Sequence, residues 1–354
     1  MKVGILTFHC AHNYGAVLQC FALQEYLKKI GHEVYVIDYR PDYLTKPYRP
    51  FLITNFFSKN PLKLLLKFIT EPILSLLRYR RFDKFNNFIK THLSLSQLDE
   101  ETYDCVVCGS DQIWNPLITG KRFDPYYWGI KTKCNTIAYA ASCGNYVFST
   151  KESNELRSLL NKFAALSVRE FDLQRNLSRF TKNPIQLVSD PVFLLDRDVW
   201  KTYCRPVKRK LPYLLCYNLN KSSECSTQAD IICKKMGLER IDLTQGITLN
   251  EVRKNSDLTA SPLDFISYFN EASFVVTSSF HGTAFSIIFQ KPFITIGMKN
   301  RKGRVISLLS LLGLESYYTD VLLSDIPQQI DWQDTFQKGN NYILKSRDFL
   351  KTIL

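Results

Sequence analysis

Two apolar runs near the start of the chain, Lys2 to Thr7 and Val34 to Tyr39, bracket a segment with helical periodicity. In that segment Val17, Leu18, Phe21, Ala22, Gln24, Leu27 and Ile30 fall at roughly helical spacing, and Gly31 stops the pattern. Strand, helix and strand in that order imply parallel strands joined by a right-handed crossover. A second alternation begins near residue 210. Tyr213 to Tyr217, Glu239 to Leu243, Phe274 to Thr277 and Phe293 to Ile296 read as strands. Gln228 to Lys235, Phe265 to Phe269 and Val305 to Leu312 read as the helices between and after them. At 354 residues the chain is too long for one typical core. We therefore expect an α/β protein of two domains, residues 1–200 and 201–330. A helical insertion is expected at about 45–100, and residues 331–354 should form a C-terminal helix, Asn341 to Ile353, packed back on the first domain.

The chemistry should sit at strand ends. Phe274 to Thr277 runs into Ser278-Ser279-Phe280-His281-Gly282-Thr283, which reads as strand, tight turn and helix. Gly282 would let the backbone turn, and Thr283 would cap the helix. His281 then lies at a strand's carboxyl end beside a helix N-terminus, where open α/β sheets bind ligands and where anions are favoured. It could instead only tie down the turn. In the first domain, Asn13-Tyr14-Gly15-Ala16 is the corresponding turn, with His9 and His12 in the same mouth. Its single glycine argues against a dinucleotide pyrophosphate, although Asp38 stands where a ribose contact would. Tyr103 to Cys108 reads as a strand and leads into Gly109-Ser110-Asp111-Gln112-Ile113-Trp114. Asp111 puts a carboxylate at a strand mouth, and Trp114 is the kind of aromatic plate that stacks on sugars. Both have structural alternatives, Asp111 as a turn cap. Leu166 to Val168 leads to Arg169-Glu170, and Ile185 to Val188 leads to Ser189-Asp190-Pro191.

Forty-six Lys and Arg against 33 Asp and Glu give a net charge of +13, which favours anionic partners. No nucleic-acid module is recognisable, so no nucleic acid is expected. The ten cysteines lie mostly in apolar runs and read as reduced, which places the protein in the cytoplasm. No ligand cluster for a metal is visible. No signal peptide or spanning segment is recognisable. Phe51 to Leu77 alternates apolar residues with Lys59, Lys63 and Lys67 and ends in Arg78-Tyr79-Arg80-Arg81. It reads as a helix, apolar on one side and basic on the other. Such a helix is either a cover for the sheet or a peripheral contact with anionic headgroups at the inner face of the membrane.

Taken together, these segments resemble the polysaccharide pyruvyl transferase family. His12-Asn13-Tyr14-Gly15-Ala16-Val17-Leu18-Gln19 is similar to the family's opening motif, and Cys108 to Pro116 to its middle motif. Ser167-Val168-Arg169-Glu170, Ser189-Asp190-Pro191, Ser279-Phe280-His281-Gly282 and the basic stretch Asn300 to Arg304 resemble its later elements. The resemblance implies two Rossmann-like domains facing a cleft, as in type B (GT-B) glycosyltransferases. It implies transfer of pyruvate from phosphoenolpyruvate, a co-substrate, to a sugar of a surface or capsular polysaccharide precursor as a ketal, with no further cofactor. The acceptor could be lipid-linked. Arg169 and His281 would hold phosphoenolpyruvate. One family position differs: Ser279 stands where many members have Arg, so Arg301, Lys302 or Arg304 would replace that cation, or the donor would differ.

The expected site therefore has His281, Asp111 and Glu170 as catalytic groups, a carboxylate relieving the attacking hydroxyl of its proton. Arg169, Ser279, Gly282, Arg304, Asn13, Tyr14, Gly15, Trp114 and His12 are the expected binding groups. The alternative is a glycosyltransferase that uses a nucleotide-sugar donor in the same cleft.

Overall fold

Every strand pairing among the described residues of the computed structural model is parallel. The described residues are 1–51, 61–97, 102–208, 212–219, 221–244, 246–252, 256–297 and 303–354, without the side chains of 61–63 and 250. The first sheet holds β1 (Lys2–Leu6), β2 (Glu33–Ile37), β3 (Leu95–Ser96), β4 (Cys105–Cys108), β5 (Asn135–Ala141), β6 (Ala165–Val168) and β7 (Ile185–Leu187). Its spatial order is β3-β2-β1-β4-β5-β6-β7. The second sheet holds β8 (Tyr213–Tyr217), β9 (Glu239–Leu243), β10 (Ser256–Asp257), β11 (Phe274–Thr277), β12 (Phe293–Ile296) and β13 (Tyr318–Thr319), ordered β10-β9-β8-β11-β12-β13. Each sheet grows outward in both directions from a central pair. Its switch points are β1/β4 and β8/β11, where strand-end loops splay apart and open a crevice.

Seven helices position the site or join the domains: α1 (Tyr14–Lys29), α2 (Pro61–His92), α3 (Phe171–Leu177), α4 (Pro262–Glu271), α5 (Phe280–Ile288), α6 (Gly303–Leu312) and α7 (Trp332–Ile353). One hydrophobic cluster draws side chains from both sheets, among them Val3 and Val107 of the first and Leu215 and Val275 of the second. The outer faces have cores of their own, around Trp114, Trp128 and Leu166 on one sheet and Leu214, Val276 and Ile294 on the other. Tyr14 crosses the seam. Its ring stacks on Phe265 of α4 at 4.6 Å, and its hydroxyl donates to the Ala260 carbonyl at 3.0 Å.

Helix α7 lies against the first domain. Tyr342 donates to the Val188 carbonyl at 2.6 Å, and Ser346 Oγ accepts from the Ser189 amide at 2.7 Å. It begins at Trp332 rather than Asn341, because Asp331 caps it by accepting from the Asp334 amide. Residues 95 and 96, within the expected helical insertion, form the edge strand β3 instead.

Helix α2 buries Leu74, Phe85, Phe88 and Ile89 but turns a second apolar stripe outward, unlike the sequence reading. Its apolar residues Leu65, Phe68, Ile69, Ile73, Leu76 and Tyr79 are exposed. Arg78 and Arg81, three residues apart and so on one face, turn inward onto the second domain. Arg81 Nη1 donates to the Thr244 carbonyl at 2.6 Å, and Arg78 Nη2 to that of Ile247 at 3.3 Å. No helix among the described residues is long and apolar enough to cross a membrane.

Candidate functional site

Two helix N-termini meet at the domain seam. Asn13 caps α1, its Oδ1 accepting from the Gly15 amide at 3.0 Å and the Ala16 amide at 3.4 Å. Gly15 lies directly against the His281 ring, so closely that a Cβ there would overlap it. The cap of α5 is Ser279, not Thr283. Its Oγ accepts from the Gly282 amide at 3.4 Å, and the helix starts at Phe280. His281 therefore belongs to the first turn itself. Thr283 lies inside the helix and donates back to the Ser279 carbonyl at 3.0 Å. Gly282 packs on Thr277 Oγ1, which leaves no room for a side chain. The turn is tight because strand and helix touch there.

Arg169 lies beneath this seam with its side chain 1% exposed. Its Nη1 donates to Asp190 Oδ2 and, at 3.2 Å, to Ser110 Oγ. Nη2 donates to Asp111 Oδ1 and Nε to Glu170 Oε1, both at 3.3 Å. The Phe280 ring, from the second domain, covers the guanidinium at 4.9 Å. Burial opposes the cation, yet Asp190, Glu170 and Asp111 outweigh it and hold Arg169 above its ordinary pKa. Its fork is filled by protein carboxylates, so Arg169 assembles the site from below rather than presenting an open anion clamp. Asp111 reaches it from a left-handed backbone, φ 74°, a conformation Asp tolerates better than most residues.

Asp190 links the two halves. His281 Nε2 stands 3.6 Å from its Oδ2, and its Oδ1 accepts from the Val192 amide at 3.1 Å. Burial alone would raise the Asp190 carboxyl, but Arg169 and His281 bring it down to about 2. The chain Arg169–Asp190–His281 thus carries a fixed charge from the first domain to an imidazole of the second. His281 Nε2 is buried without a hydrogen-bond partner.

Glu170 differs. Its Oε1 takes bonds from Ser142 Oγ at 2.7 Å and from Arg169, while its Oε2 is buried with no partner. Burial raises its pKa against the pull of Arg169, Ser142 and Arg304. Glu170 also lines a cavity of about 270 Å³ together with the loop Cys143–Val147, residues of α3, and Gly303 and Arg304 from the second domain.

Other expected site residues lie elsewhere. Trp114 is not a sugar plate: it is fully buried, stacked on Trp128 at 4.5 Å, with its indole nitrogen donating to the Tyr127 carbonyl. His12 packs against Phe85, Phe82 and Tyr48, and its Nε2 lies 3.4 Å from Asn86 Oδ1. Tyr14 is a seam residue. Arg301 and Lys302 lie outside the described residues. Asp190 is not among the expected site residues, although a carboxylate in the loop just after a strand is the signal that points to it. Gln19 gave less sign: it reaches from α1 to Thr7 Oγ1 and accepts from the Ser110 amide, fixing the loop that carries Asp111. Among the described residues no cluster of His, Cys, Asp and Glu could hold a metal ion.

Comparison with solved structures identifies the architecture. The UDP-N-acetylglucosamine 2-epimerase from Rickettsia bellii aligns over 100% of this chain and 96% of its own at 12% identity, with TM-score 0.50. The epimerase from Neisseria meningitidis covers 98% and 93% at 11% identity, TM-score 0.45. The spinosyn rhamnosyltransferase SpnG covers 99% and 96% at 12%, TM-score 0.38. At 12% identity the likeness to the Rickettsia bellii epimerase is one of fold, two parallel α/β domains facing each other. No curated protein matches the chain at a significant level. The profile of one family, polysaccharide pyruvyl transferase, matches residues 13–300, from the cap of α1 to beyond α5. With that match across most of its length, the chain belongs to the polysaccharide pyruvyl transferase family, a family of transferase enzymes.

Proposed function

We propose that the protein moves pyruvate from phosphoenolpyruvate to two hydroxyls of a sugar in a surface or capsular polysaccharide precursor, closing a cyclic ketal. The observation that carries this reading is the meeting of α1 and α5 at His281. Two helix N-termini, a field that favours anions, converge on one titratable ring. His281 is placed to hold the phosphate and to hand it a proton as it leaves, with Asp190 behind the ring to orient and steady the cationic form. Asp111 is the carboxylate suited to take the proton of an attacking hydroxyl. A lipid-linked acceptor would be met at a membrane, and the outward apolar face of α2 supports peripheral contact there. Because Arg78 and Arg81 turn inward, that contact should depend more on apolar insertion than on salt.

The direct test is incubation with phosphoenolpyruvate and lipid-linked saccharides, followed by mass spectrometry of the saccharide. Pyruvate addition is expected. In parallel, phosphoenolpyruvate should protect the protein against thermal unfolding. Protection by a nucleotide sugar and none by phosphoenolpyruvate would instead establish a glycosyltransferase. For the membrane, flotation with anionic vesicles should be lost on changing Ile69 and Ile73 to Gln.

A further inference from the structure

We propose that the cavity between Glu170 and Arg304 seats the enolpyruvyl group of the donor, and that Glu170, as a neutral acid, protonates its C3. This rests on the pyruvyl-transfer reading above and assigns to Glu170 a different role from that of base toward the sugar.

The cavity, about 270 Å³, is of a size for a small anion rather than an oligosaccharide. Its walls come from both domains: the loop after β5 and the start of α3 on one side, Gly303 and Arg304 at the N-terminus of α6 on the other. Arg304 brings a cation to that side, and the ten residues of α6 bring their dipole. Glu170 brings an acid. One of its oxygens is occupied by Ser142 and Arg169, while the other, Oε2, is buried with its bonding capacity unspent. An unpartnered buried carboxylate oxygen is costly. A protonated oxygen waiting for a ligand resolves the cost, and the upward shift of Glu170 with burial agrees with it. Ser142 and Arg169 both donate to Oε1, which leaves Oε2 as the oxygen that bears the proton.

The step balances. The C2=C3 electrons of the enol take the proton from Oε2 and form the new methyl group, leaving oxocarbenium character at C2. One sugar hydroxyl oxygen bonds to C2. Phosphate leaves with the electron pair of its bond to C2, and the second hydroxyl oxygen takes its place. Asp111 takes each of the two hydroxyl protons in turn; one replaces the proton that His281 gives to the leaving phosphate, and the other is passed back to Glu170. Asp190, held as a carboxylate, could not serve as the acid; Glu170 can.

Three variants of the full chain test this. Glu170→Gln keeps the shape and an oxygen to accept from Ser142 and Arg169, but carries no acidic proton. Its kcat should fall by at least about a hundredfold, the scale of general acid catalysis, with KM for phosphoenolpyruvate changed by less than about threefold. Arg304→Ala should raise that KM by about tenfold. Val147→Trp crowds the cavity from an exposed position, where folding is not at stake, and should raise the KM with kcat retained. If Glu170→Gln turns over within about threefold of the parent, Glu170 is not the acid. If neither Arg304→Ala nor Val147→Trp alters the KM, the donor sits elsewhere. In both cases the parent's transfer stands, so pyruvyl transfer survives. A parent that transfers no pyruvate from phosphoenolpyruvate overturns both.

Discussion

At the scale of single residues, the site is a charge problem that Arg169 solves. Asp111, Glu170 and Asp190 converge from three separate strand ends, and one buried guanidinium bonds to all three and answers the charge of the two aspartates. Removing one partner of a buried ion pair leaves the others uncompensated, at about 3–5 kcal/mol. We therefore expect Arg169→Ala to lower unfolding free energy by about that amount in urea titrations and to abolish transfer. A variant with parental stability would show that the carboxylates need no cation. His12 supplies a pH dependence. Burial among aromatic rings pushes its pKa down from 6.5 to about 4. The unfolded chain takes up a proton below pH 6.5 while the native ring stays neutral, so the associated stability is complete above 6.5 and lost as pH falls toward 4. The loss amounts to about 3 kcal/mol. His12→Phe should flatten that decline when stability is compared at pH 7 and 4.5, and an unchanged decline would assign it to other groups.

At the scale of elements, α5 shows what a sequence conceals. A strand-turn-helix around His281 was legible because a buried parallel strand reads as an apolar run and a glycine follows it. The cap was misplaced because Ser279 and Thr283 are equally good hydroxyl caps, and only the turn's actual path selects between them. Trp114 looked like a sugar plate because its stacking partner, Trp128, belongs to another loop. The direction of α2 was hidden for a similar reason. An apolar stripe ordinarily faces the core, but here carbonyls of Thr244 and Ile247, distant in sequence, draw the arginines inward. The Ser279 cap also changes what an arginine at this position would do. Ser279 is 4% exposed and bonded within its turn. Ser279→Arg should cost about 1 kcal/mol in lost capping, whereas Ser279→Asp should retain the cap. Thermal denaturation of the two variants distinguishes them, and equal midpoints would mean that the cap contributes nothing.

At the scale of the whole molecule, the two sheets share one core. The β-α-β alternations made both sheets visible in the sequence, because each strand's apolarity is local. The seam was not visible, since it is built from pairs far apart in the chain: Tyr14 with Phe265, Arg169 with Phe280, Gly15 with His281. The hydrophobic cluster running through Val3, Tyr14, Leu215 and Phe265 gives neither domain a complete core of its own on the facing side. Helix α7 ties the end of the described chain back to Val188 and Ser189. Exposing that seam would uncover a continuous apolar surface, which water penalises in proportion to area. The domains should therefore not unfold independently. Calorimetry is expected to show one transition, with calorimetric and van't Hoff enthalpies equal. Tyr14→Ala leaves a cavity at the stacked pair and should cost about 3–5 kcal/mol, by analogy with other buried aromatic truncations. Because the seam is shared, that loss should move the single transition downward without splitting it. Two resolved transitions in the parent would show that the domains are coupled only loosely. Two transitions appearing only in Tyr14→Ala would show that this one ring accounts for most of the coupling.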